Sequence, residues 1–288
     1  MNAPTDPSLL ERSAALQGMG ESRLRKEDAR FIQGKGNYVD DLKLPGMLNA
    51  AIKDCPVFGG KLAKFDAAAI EKRPGVKKVV KVGDSAVAVV ADTWWHAKTA
   101  LDVLPIIWDE GENARVSSES IAKWLAEGLD NAQPAHIGNQ NGDAKTAIAG
   151  AAKKVEAVYN YPYQNHAPME PMNATALYTP DKCEVWCGTQ NGAAAFAAVL
   201  QESGLPAEKC EVHKHILGGG FGRRGMTDYV RQAVAIAKQM PGTPVKLLWS
   251  REEDMAQGKF HPITQCKLTG AFDADNNLTA LHVRLSGQ

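Results

Sequence analysis

The sequence predicts an α+β protein, in which strands and helices follow one another without a strict βαβ rhythm. Two β-rich runs, residues 76–82 and 86–90, are separated by a glycine turn, a pattern typical of an antiparallel hairpin. Apolar residues recur at helical spacing in residues 227–240, which indicates an amphipathic helix. A strand at residues 210–217 leads into that helix through a glycine-rich loop. These three observations indicate a mixed fold.

The N-terminal half is expected to consist of short strands and helices. Asp92-Thr93 and Ser117-Ser118 each precede a helical pattern, and such side chains cap helices by accepting hydrogen bonds from first-turn amides. The predicted elements are a strand at 48–52, a helix at 61–71, the two strands of the hairpin, a helix from 93 to 101, a short buried strand at 106–108, and a helix after 117 with Ile121, Trp124, Leu125 and Leu129 on its apolar face.

A stretch rich in Asn, Gln, Gly and Pro separates two parts of the chain. Residues 131–143 lack hydrophobic periodicity and are therefore predicted to be a linker. The predicted organisation is a flexible tail at 1–20, a first domain at 21–130 and a second domain at 144–288. The second domain is expected to contain a short helix at 143–152, a strand at 154–161, a loop with three prolines at 161–173, a hairpin of strands 174–178 and 182–186, a helix that ends near Gly204, a strand at 245–249, and a final hairpin of strands 265–272 and 278–285.

The charge balance argues against a nucleic-acid-binding protein. Lys plus Arg and Asp plus Glu number 33 each in the 288 residues, and no basic run is present. No apolar run has the roughly 20 residues that a membrane-spanning helix needs. The first residues lack the basic start and apolar core of a signal peptide, so a cytoplasmic location is expected, with a periplasmic one open if a partner carries the chain there.

The five cysteines do not form a pattern typical of a metal or iron–sulfur site. They include no CxxC pair, and Cys183 and Cys187, which would share one strand face, supply only two ligands. We therefore expect buried free thiols and assign no metal ligands.

The strongest functional signal is the stretch 217–225, Leu-Gly-Gly-Gly-Phe-Gly-Arg-Arg-Gly. Glycine weakens strands and helices, so such a run indicates a backbone that bends sharply or approaches another group closely. Exposed amides followed by a helix N-terminus favour an anion, and Arg223 and Arg224 add positive charge. We interpret the loop as the place where a phosphate-bearing cofactor lies against the backbone.

Two other interpretations of this loop stay open. Residues 220–225 match the GxGxxG pattern of dinucleotide-binding folds. The preceding strand is too polar for a central parallel strand, and the acidic residues 252–254 lie beyond the end of the second strand. A purely structural glycine turn is the other alternative.

Several polar residues outside the loop are weaker candidates. His213 and His215 share a strand face, but without an evident third ligand they are expected to be solvated or satisfied histidines rather than a metal pair. His166 and Glu170 lie in the proline-rich loop and are candidates for an acid–base pair. The alternative, which we favour, is that Glu170 caps a turn or binds an arginine. Residues 251–254 are expected to be a solvated helix start.

Gln190 is a candidate ligand-binding residue of a different kind. It lies in Thr189-Gln190-Asn191, between the end of a strand and the start of a helix, where a side-chain amide can face a ligand. The alternative is a loop that only caps the following helix.

The order of these motifs resembles the molybdenum-binding subunit of the xanthine dehydrogenase/aldehyde oxidase family. The resemblance rests on 218–224, preceded by 186–191 and 166–171, and its Gly-Gly-Gly-Phe-Gly-Arg-Arg form is similar to the isoquinoline oxidoreductase and bacterial aldehyde dehydrogenase branch. Residues 25–48 resemble the start of the family's α/β-hammerhead domain. The resemblance therefore implies a hammerhead domain followed by the first part of a molybdopterin-binding domain.

The resemblance also implies roles for particular residues. Gln190 would hydrogen-bond an oxygen on molybdenum, and the amides of Phe221 and Gly222 would lie beside the molybdopterin, with Gly219 and Gly220 shaping the turn. Arg223 and Arg224 complete the predicted cofactor-binding set. The implied reaction is hydroxylation of an aldehyde or an aromatic N-heterocycle with water as the oxygen source.

Two departures from the family pattern limit what the resemblance implies. The family's xanthine dehydrogenases have a substrate-contacting Glu in a Gly-Gly-Lys-Glu sequence after the loop, whereas this chain has Arg223-Arg224-Gly225. Family subunits are also much longer, and their general base lies in sequence that this chain lacks, so we name no catalytic base. The chain stops directly after its last predicted strand, which we interpret as an interruption.

The implied partners follow from these limits. They are a chain that carries the rest of the molybdopterin domain and a small subunit with [2Fe–2S] clusters, and the implied cofactor is molybdopterin in a dinucleotide form. The alternative is a non-catalytic fragment or assembly subunit without cofactor.

Overall fold

The computed structural model describes residues 22–287. The predicted tail at 1–20 lies outside the described residues. The chain divides into two units, 1–37 and 38–288. In the first unit, the described part contains one short helix, α1 (Asp28–Ile32).

The second unit contains twelve strands and six α-helices within its described residues. The strands are β1 (Leu48–Asp54), β2 (Lys61–Phe65), β3 (Val76–Val82), β4 (Ala86–Ala91), β5 (Ile106–Asp109), β6 (Lys153–Tyr161), β7 (Asn173–Tyr178), β8 (Cys183–Cys187), β9 (Cys210–Lys214), β10 (Val245–Leu248), β11 (Thr264–Phe272) and β12 (Leu278–Gly287). The helices are α2 (Trp94–Leu101), α3 (Ser118–Asp130), α4 (Ala144–Ala149), α5 (Gly192–Ser203), α6 (Asp228–Lys238) and α7 (Arg251–Ala256).

A seven-stranded sheet organises this unit, in the order β3-β4-β1-β10-β7-β8-β9. The pairs β1–β10 and β8–β9 are parallel and the other neighbours are antiparallel. The sheet takes strands from both sides of the predicted linker at 131–143, because β1 pairs with β10. Strands of the two predicted domains thus share one hydrogen-bonded sheet. The division into domains at 131–143 stays a prediction.

Both faces of this sheet are covered. Helices α5 and α6 pack with one face, and α2 packs against β1 and β4 on the other. Strand β4 shows the consequence: Ala88 and Val90 belong to the first core cluster, whereas Val87 and Val89 belong to the second. A strand buried on both faces is a continuous apolar run, which explains why the hairpin was predictable from sequence.

The predicted helix at 61–71 is wrong. The segment forms β2, which pairs antiparallel with β5, and then a single 3₁₀ turn at Ala67–Ala69 capped by Asp66. Local sequence favoured a helix, but the hydrogen bonds to β5, about 40 residues away, are made instead. Strand β5 was also expected to be buried, yet it lies in this two-stranded sheet and leaves Ile107 60% exposed.

The third sheet has the order β12-β11-β6 and contains the predicted final hairpin, which is confirmed. Asp273 closes its turn by accepting hydrogen bonds from the backbone of Asp275 and Asn277, and Asn276 has the left-handed φ of 62°. Helices α3 and α4 contact this sheet. Among α3's predicted apolar residues, Leu125 and Leu129 are buried, whereas Trp124 is exposed.

The predicted caps of α2 and α3 are confirmed. Thr93 accepts a hydrogen bond from the amide of His96, and Ser117 and Ser120 cap each other at the start of α3. The prediction that 251–254 is a solvated helix start is wrong. This segment begins α7, but the structure buries two of its acidic side chains, Glu253 and Asp254. Across residues 22–287, no helix combines the length and the apolar character needed to cross a membrane.

Candidate functional site

The glycine-rich stretch connects β9, an edge strand of the large sheet, to helix α6. Its backbone turns through left-handed conformations at Gly219 (φ 96°), Phe221 (φ 53°) and Gly222 (φ 102°). For Phe221 this conformation costs about 1–3 kcal/mol, and such strain is concentrated at functional sites. The Phe221 side chain is 70% exposed. The loop therefore presents backbone and one aromatic ring outward.

Two glycines of the loop are required by close packing. A Cβ atom on Gly218 would lie 2.5 Å from Cβ of Glu170, and one on Gly220 would lie 2.6 Å from Oε1 of Gln190. Contacts this short do not occur, so any side chain at these positions would displace its neighbour. The glycines thus allow Glu170 and Gln190 to approach the loop directly.

Three consecutive amides of the loop have no acceptor within the described residues. The N–H groups of Gly219, Gly220 and Phe221 make no hydrogen bond to any of residues 22–287, whereas the amides before and after them do. Successive unpaired N–H groups in a tight turn form a concave site for an anion. This geometry agrees with the anion site that the sequence predicts.

Gln190 contacts the loop through its side chain. Its Oε1 accepts a hydrogen bond from the amide of Gly222 at 3.1 Å, which fixes the orientation of the side-chain amide. Its Nε2 is therefore a donor, and it has no acceptor in the part of the chain that the structure describes. Asn191 caps α5 by accepting from Ala194. Helix capping is thus performed by Asn191, which leaves the Gln190 side chain for the loop.

Arg224 lies inside the protein beneath the loop. Its guanidinium group, 0% exposed, donates to the Gly219 carbonyl oxygen at 2.8 Å and to Oε2 of Glu170 at 2.9 Å. Glu170 also accepts from the amide of Gly218 at 2.7 Å. The interpretation that Glu170 binds an arginine therefore agrees with the structure, and no hydrogen bond joins it to His166 as an acid–base pair would require.

Arg223 is buried on the other side of the same turn. Both of its terminal nitrogens donate to Asp228, at 2.8 and 2.6 Å, and the guanidinium group lies 5.4 Å from the centre of the Trp249 ring. Neither arginine thus extends its charge to the outer surface of the loop. We interpret both as residues that hold the loop in place, so their predicted part in cofactor binding would be indirect.

His166 lies beside the loop, close to Gly222. Its ring packs against His261, with 4.3 Å between ring centres, and its Nδ1 is buried without a hydrogen-bond partner among the described residues. Burial, together with the nearby His261 and Arg223, lowers the pKa of His166. The ring is therefore neutral near pH 7 and offers one donor and one acceptor nitrogen.

The molybdopterin cofactor-binding domain family matches residues 129–288, which is 160 of the 288 residues and includes the whole loop. The chain belongs to this family. The site geometry fits the family's cofactor, because three unpaired amides and the Nε2 donor of Gln190 suit a group rich in acceptor oxygens.

Two similar proteins show how much of a longer sequence the match covers. The membrane-bound aldehyde dehydrogenase (pyrroloquinoline-quinone) of Gluconacetobacter polyoxogenes is 29% identical over 86% of this chain and 33% of its own length. Isoquinoline 1-oxidoreductase subunit beta of Brevundimonas diminuta is 28% identical over 94% of this chain and 36% of its own length. The chain thus spans about a third of these relatives.

A solved structure supports the fold of this chain. Quinoline 2-oxidoreductase from Pseudomonas putida 86 superposes with a TM-score of 0.72, at 24% identity, over 92% of this chain and 39% of that one. The mixed α and β architecture is therefore shared with that chain.

His213, another candidate, lies on the edge strand β9, which precedes the glycine loop. Parallel pairing of β8 with β9 brings Glu184 near it, with His213 Nε2 3.2 Å from the carboxylate, and Glu211 lies two residues earlier on β9 itself. Sequence reasoning missed Glu184 because it lies on the neighbouring strand. Lys182 forms ion pairs with both carboxylates, at 2.9 and 3.5 Å, so it balances one of their two negative charges. His213 thus has carboxylate neighbours that the sequence did not show, and its assignment as a satisfied histidine rather than a metal ligand stays a prediction.

Sequence reasoning also missed Asp228 as the partner of Arg223. The available signal was an acidic residue in the first turn of α6, where it is also favoured by the helix dipole. The five cysteines were expected to be buried free thiols. All are free, with Cys55, Cys183 and Cys187 buried and Cys210 and Cys266 half-buried.

Proposed function

We propose that this chain supplies part of the molybdenum cofactor site of a hydroxylase that oxidises an aldehyde or an aromatic N-heterocycle with water as the oxygen source. The observation that carries the proposal is the row of unpaired amides at Gly219, Gly220 and Phe221 beside the free donor of Gln190, in a member of the molybdopterin-binding family. The names of the relatives, an aldehyde dehydrogenase and an isoquinoline oxidoreductase, support the substrate class.

The residues of this chain bind and orient the cofactor in this proposal. The loop amides hold oxygen atoms of its anionic part, and Gln190 donates from Nε2 to an oxygen of the cofactor while Gly222 fixes its Oε1. The ring of Phe221, exposed on a strained backbone beside these amides, would shield the bound cofactor from water. When bound, the cofactor supplies the two-electron oxidation and the transfer of oxygen derived from water.

The rest of the enzyme comes from sequence outside these 288 residues. We propose that a polypeptide with the remainder of the molybdopterin domain contributes the general base, since the chain spans about a third of its relatives. We further propose the dinucleotide form of molybdopterin and [2Fe–2S] clusters on a small partner subunit, because no cluster-type cysteine set exists here. The part at 21–130 is proposed to be the hammerhead domain.

The test is the metal and cofactor content of the assembly purified from its native cells. Gln190→Ala is compared with the matched control Gln201→Ala, in which an exposed side chain of α5 without a hydrogen bond to the described residues is removed. Molybdenum is measured by elemental mass spectrometry and released pterin by fluorescence. Loss of one donor to the cofactor is expected to lower retention about 10–100-fold for Gln190→Ala only. A native assembly without molybdenum or pterin would contradict the proposal.

A further inference from the structure

The sheet β12-β11-β6 has one face that no part of the described chain covers. Its register places alternate residues of the three strands side by side: Cys266 lies between Tyr159 and Leu285, and Leu268 lies between Ala157 and Val283. We call this surface the open face. Its apolar members are Val155, Ala157, Tyr159, Tyr161, Cys266, Leu268, Leu281, Val283 and Leu285, and the same register adds Thr264, Gly270 and, at the end of β6, Lys153.

In this sheet the apolar side chains face solvent, whereas polar side chains face the rest of the protein. On β12, Leu281, Val283 and Leu285 are 52%, 47% and 70% exposed. The polar residues between them are half-buried on the opposite face, where Arg284 donates to the carbonyl oxygen of Asn131 and Gln265 of β11 donates to that of Ala122 in α3. Helix α3 thus covers the polar face, and the apolar face is left open.

The apolar composition of the open face indicates that its partner is an apolar surface of a protein. None of its nine apolar members carries a charge, and its one charged residue, Lys153, lies at the end of β6, so the face is a poor site for a nucleic acid or a charged ligand. Six of them, on β6 and β12, are about half exposed or more. A contiguous apolar surface of this kind marks an interface, and a flat sheet packs against a second sheet or a helix layer about 10 Å away.

Related proteins indicate which polypeptide covers the open face. The match to the molybdopterin-binding domain includes all three strands, and similar proteins extend this fold in chains of which it is only 33–39%. We propose that the open face is the docking surface for the polypeptide that completes the molybdopterin-binding domain, whose own apolar layer covers it. This inference rests on the proposed function, and it assigns the surface through which this chain contacts the rest of the enzyme.

The test uses the assembly purified from native cells and a thiol that the open face itself provides. Cys266 lies at the centre of the face and is half-buried in this chain, whereas the half-buried Cys210 lies outside it. Labelling of both thiols with a soluble maleimide is followed by mass spectrometry. The variant Val283→Lys places a charge on the face, and Ile107→Lys, a similarly exposed strand residue on β5, is the matched control.

We expect Cys266 to be protected in the native assembly and in Ile107→Lys. In Val283→Lys the completing polypeptide should co-purify at least about tenfold less, and Cys266 should label correspondingly faster, because a charge buried within an apolar interface disrupts it. Circular dichroism and thermal melting of each variant chain check that the fold is retained. Since Val283 is already half exposed, the variant chain should melt as the wild type does.

Three outcomes would overturn the inference. Cys266 labels as fast in the native assembly as in the chain alone, or a second copy of this chain covers the face, or Val283→Lys binds the completing polypeptide normally. Molybdenum content separates this failure from that of the proposed function. Protection of Cys266 by the completing polypeptide without molybdenum would leave the docking surface standing and reject the hydroxylase.

Discussion

Glu170 and Arg224 form an ion pair of 2.9 Å beneath the glycine loop, with 8% and 0% of their side chains exposed. The same carboxylate accepts the amide of Gly218, and the same guanidinium group donates to the carbonyl oxygen of Gly219. The pair thus forms hydrogen bonds with two adjacent residues of the loop, Gly218 and Gly219. The unpaired amides on its other side are held in position by these contacts.

Glu170→Ala is expected to lower the free energy of unfolding by about 3–5 kcal/mol, because it leaves the Arg224 charge buried without its partner. Urea denaturation followed by circular dichroism measures the effect. The matched control is Asp102→Ala, which removes an exposed ion pair with Lys98 on α2 and should cost less than about 1 kcal/mol. Equal losses in the two variants would show that the buried pair has no special role.

Gly220→Ala is expected to abolish cofactor retention while the chain stays folded. The added Cβ would lie 2.6 Å from Oε1 of Gln190, so the glutamine must move away from the loop and release the amide of Gly222. Pterin fluorescence and molybdenum content of the native assembly measure the loss. Gly225→Ala is the control, since a Cβ there meets no atom within 4 Å. If both variants keep their cofactor, Gln190 is not the contact that we propose.

The parts of the fold that were predictable from sequence depend on local patterns. The hairpins β3–β4 and β11–β12 combine strand-forming residues with a turn signal, so both partners lie within one short stretch of sequence. The glycine loop was recognisable because four glycines in five positions have no use in a regular element. The helix caps Thr93 and Ser117 were predictable for the same reason, since a cap acts within one turn.

The parts that were not predictable depend on distant partners. Strand β2 is defined by its pairing with β5, and β1 by its pairing with β10 almost 200 residues away. The acidic residues of α7 resemble a solvated helix start, but Glu253 accepts a hydrogen bond from Asp54 and Asp254 from Met172. Only tertiary contacts reveal that these carboxyl groups are buried.

Glu253 is expected to make stability depend on pH. Burial raises the pKa of its carboxyl group from 4.5 to about 7. The folded state therefore binds a proton more tightly than the unfolded state, so this contribution to stability is fully present below pH 4.5 and is lost as pH rises towards 7. The free energy of unfolding that this group contributes at low pH, and that is lost above its folded-state pKa, is on the order of 3 kcal/mol.

Glu253→Gln should remove this dependence, because the amide keeps an oxygen to accept from the Asp54 amide but does not ionise. The variant is expected to be more stable than the wild type at pH 8 and similar to it at pH 4.5, as measured by urea denaturation at each pH. Parallel stability curves for the two proteins would contradict the assignment of the raised pKa to Glu253.

Cys183 and Cys187 are expected to resist thiol reagents in the folded chain. Burial raises the pKa of Cys183 to about 12 and that of Cys187 to about 11, so neither is a thiolate at pH 8. The half-buried Cys210 and Cys266 should react first, and all five thiols should react in denaturant. Time-resolved maleimide labelling with peptide mass spectrometry measures the order. Labelling of Cys183 as fast as Cys210 would show that β8 opens from the sheet, because its thiol is otherwise packed in the core between helix α5 and the sheet.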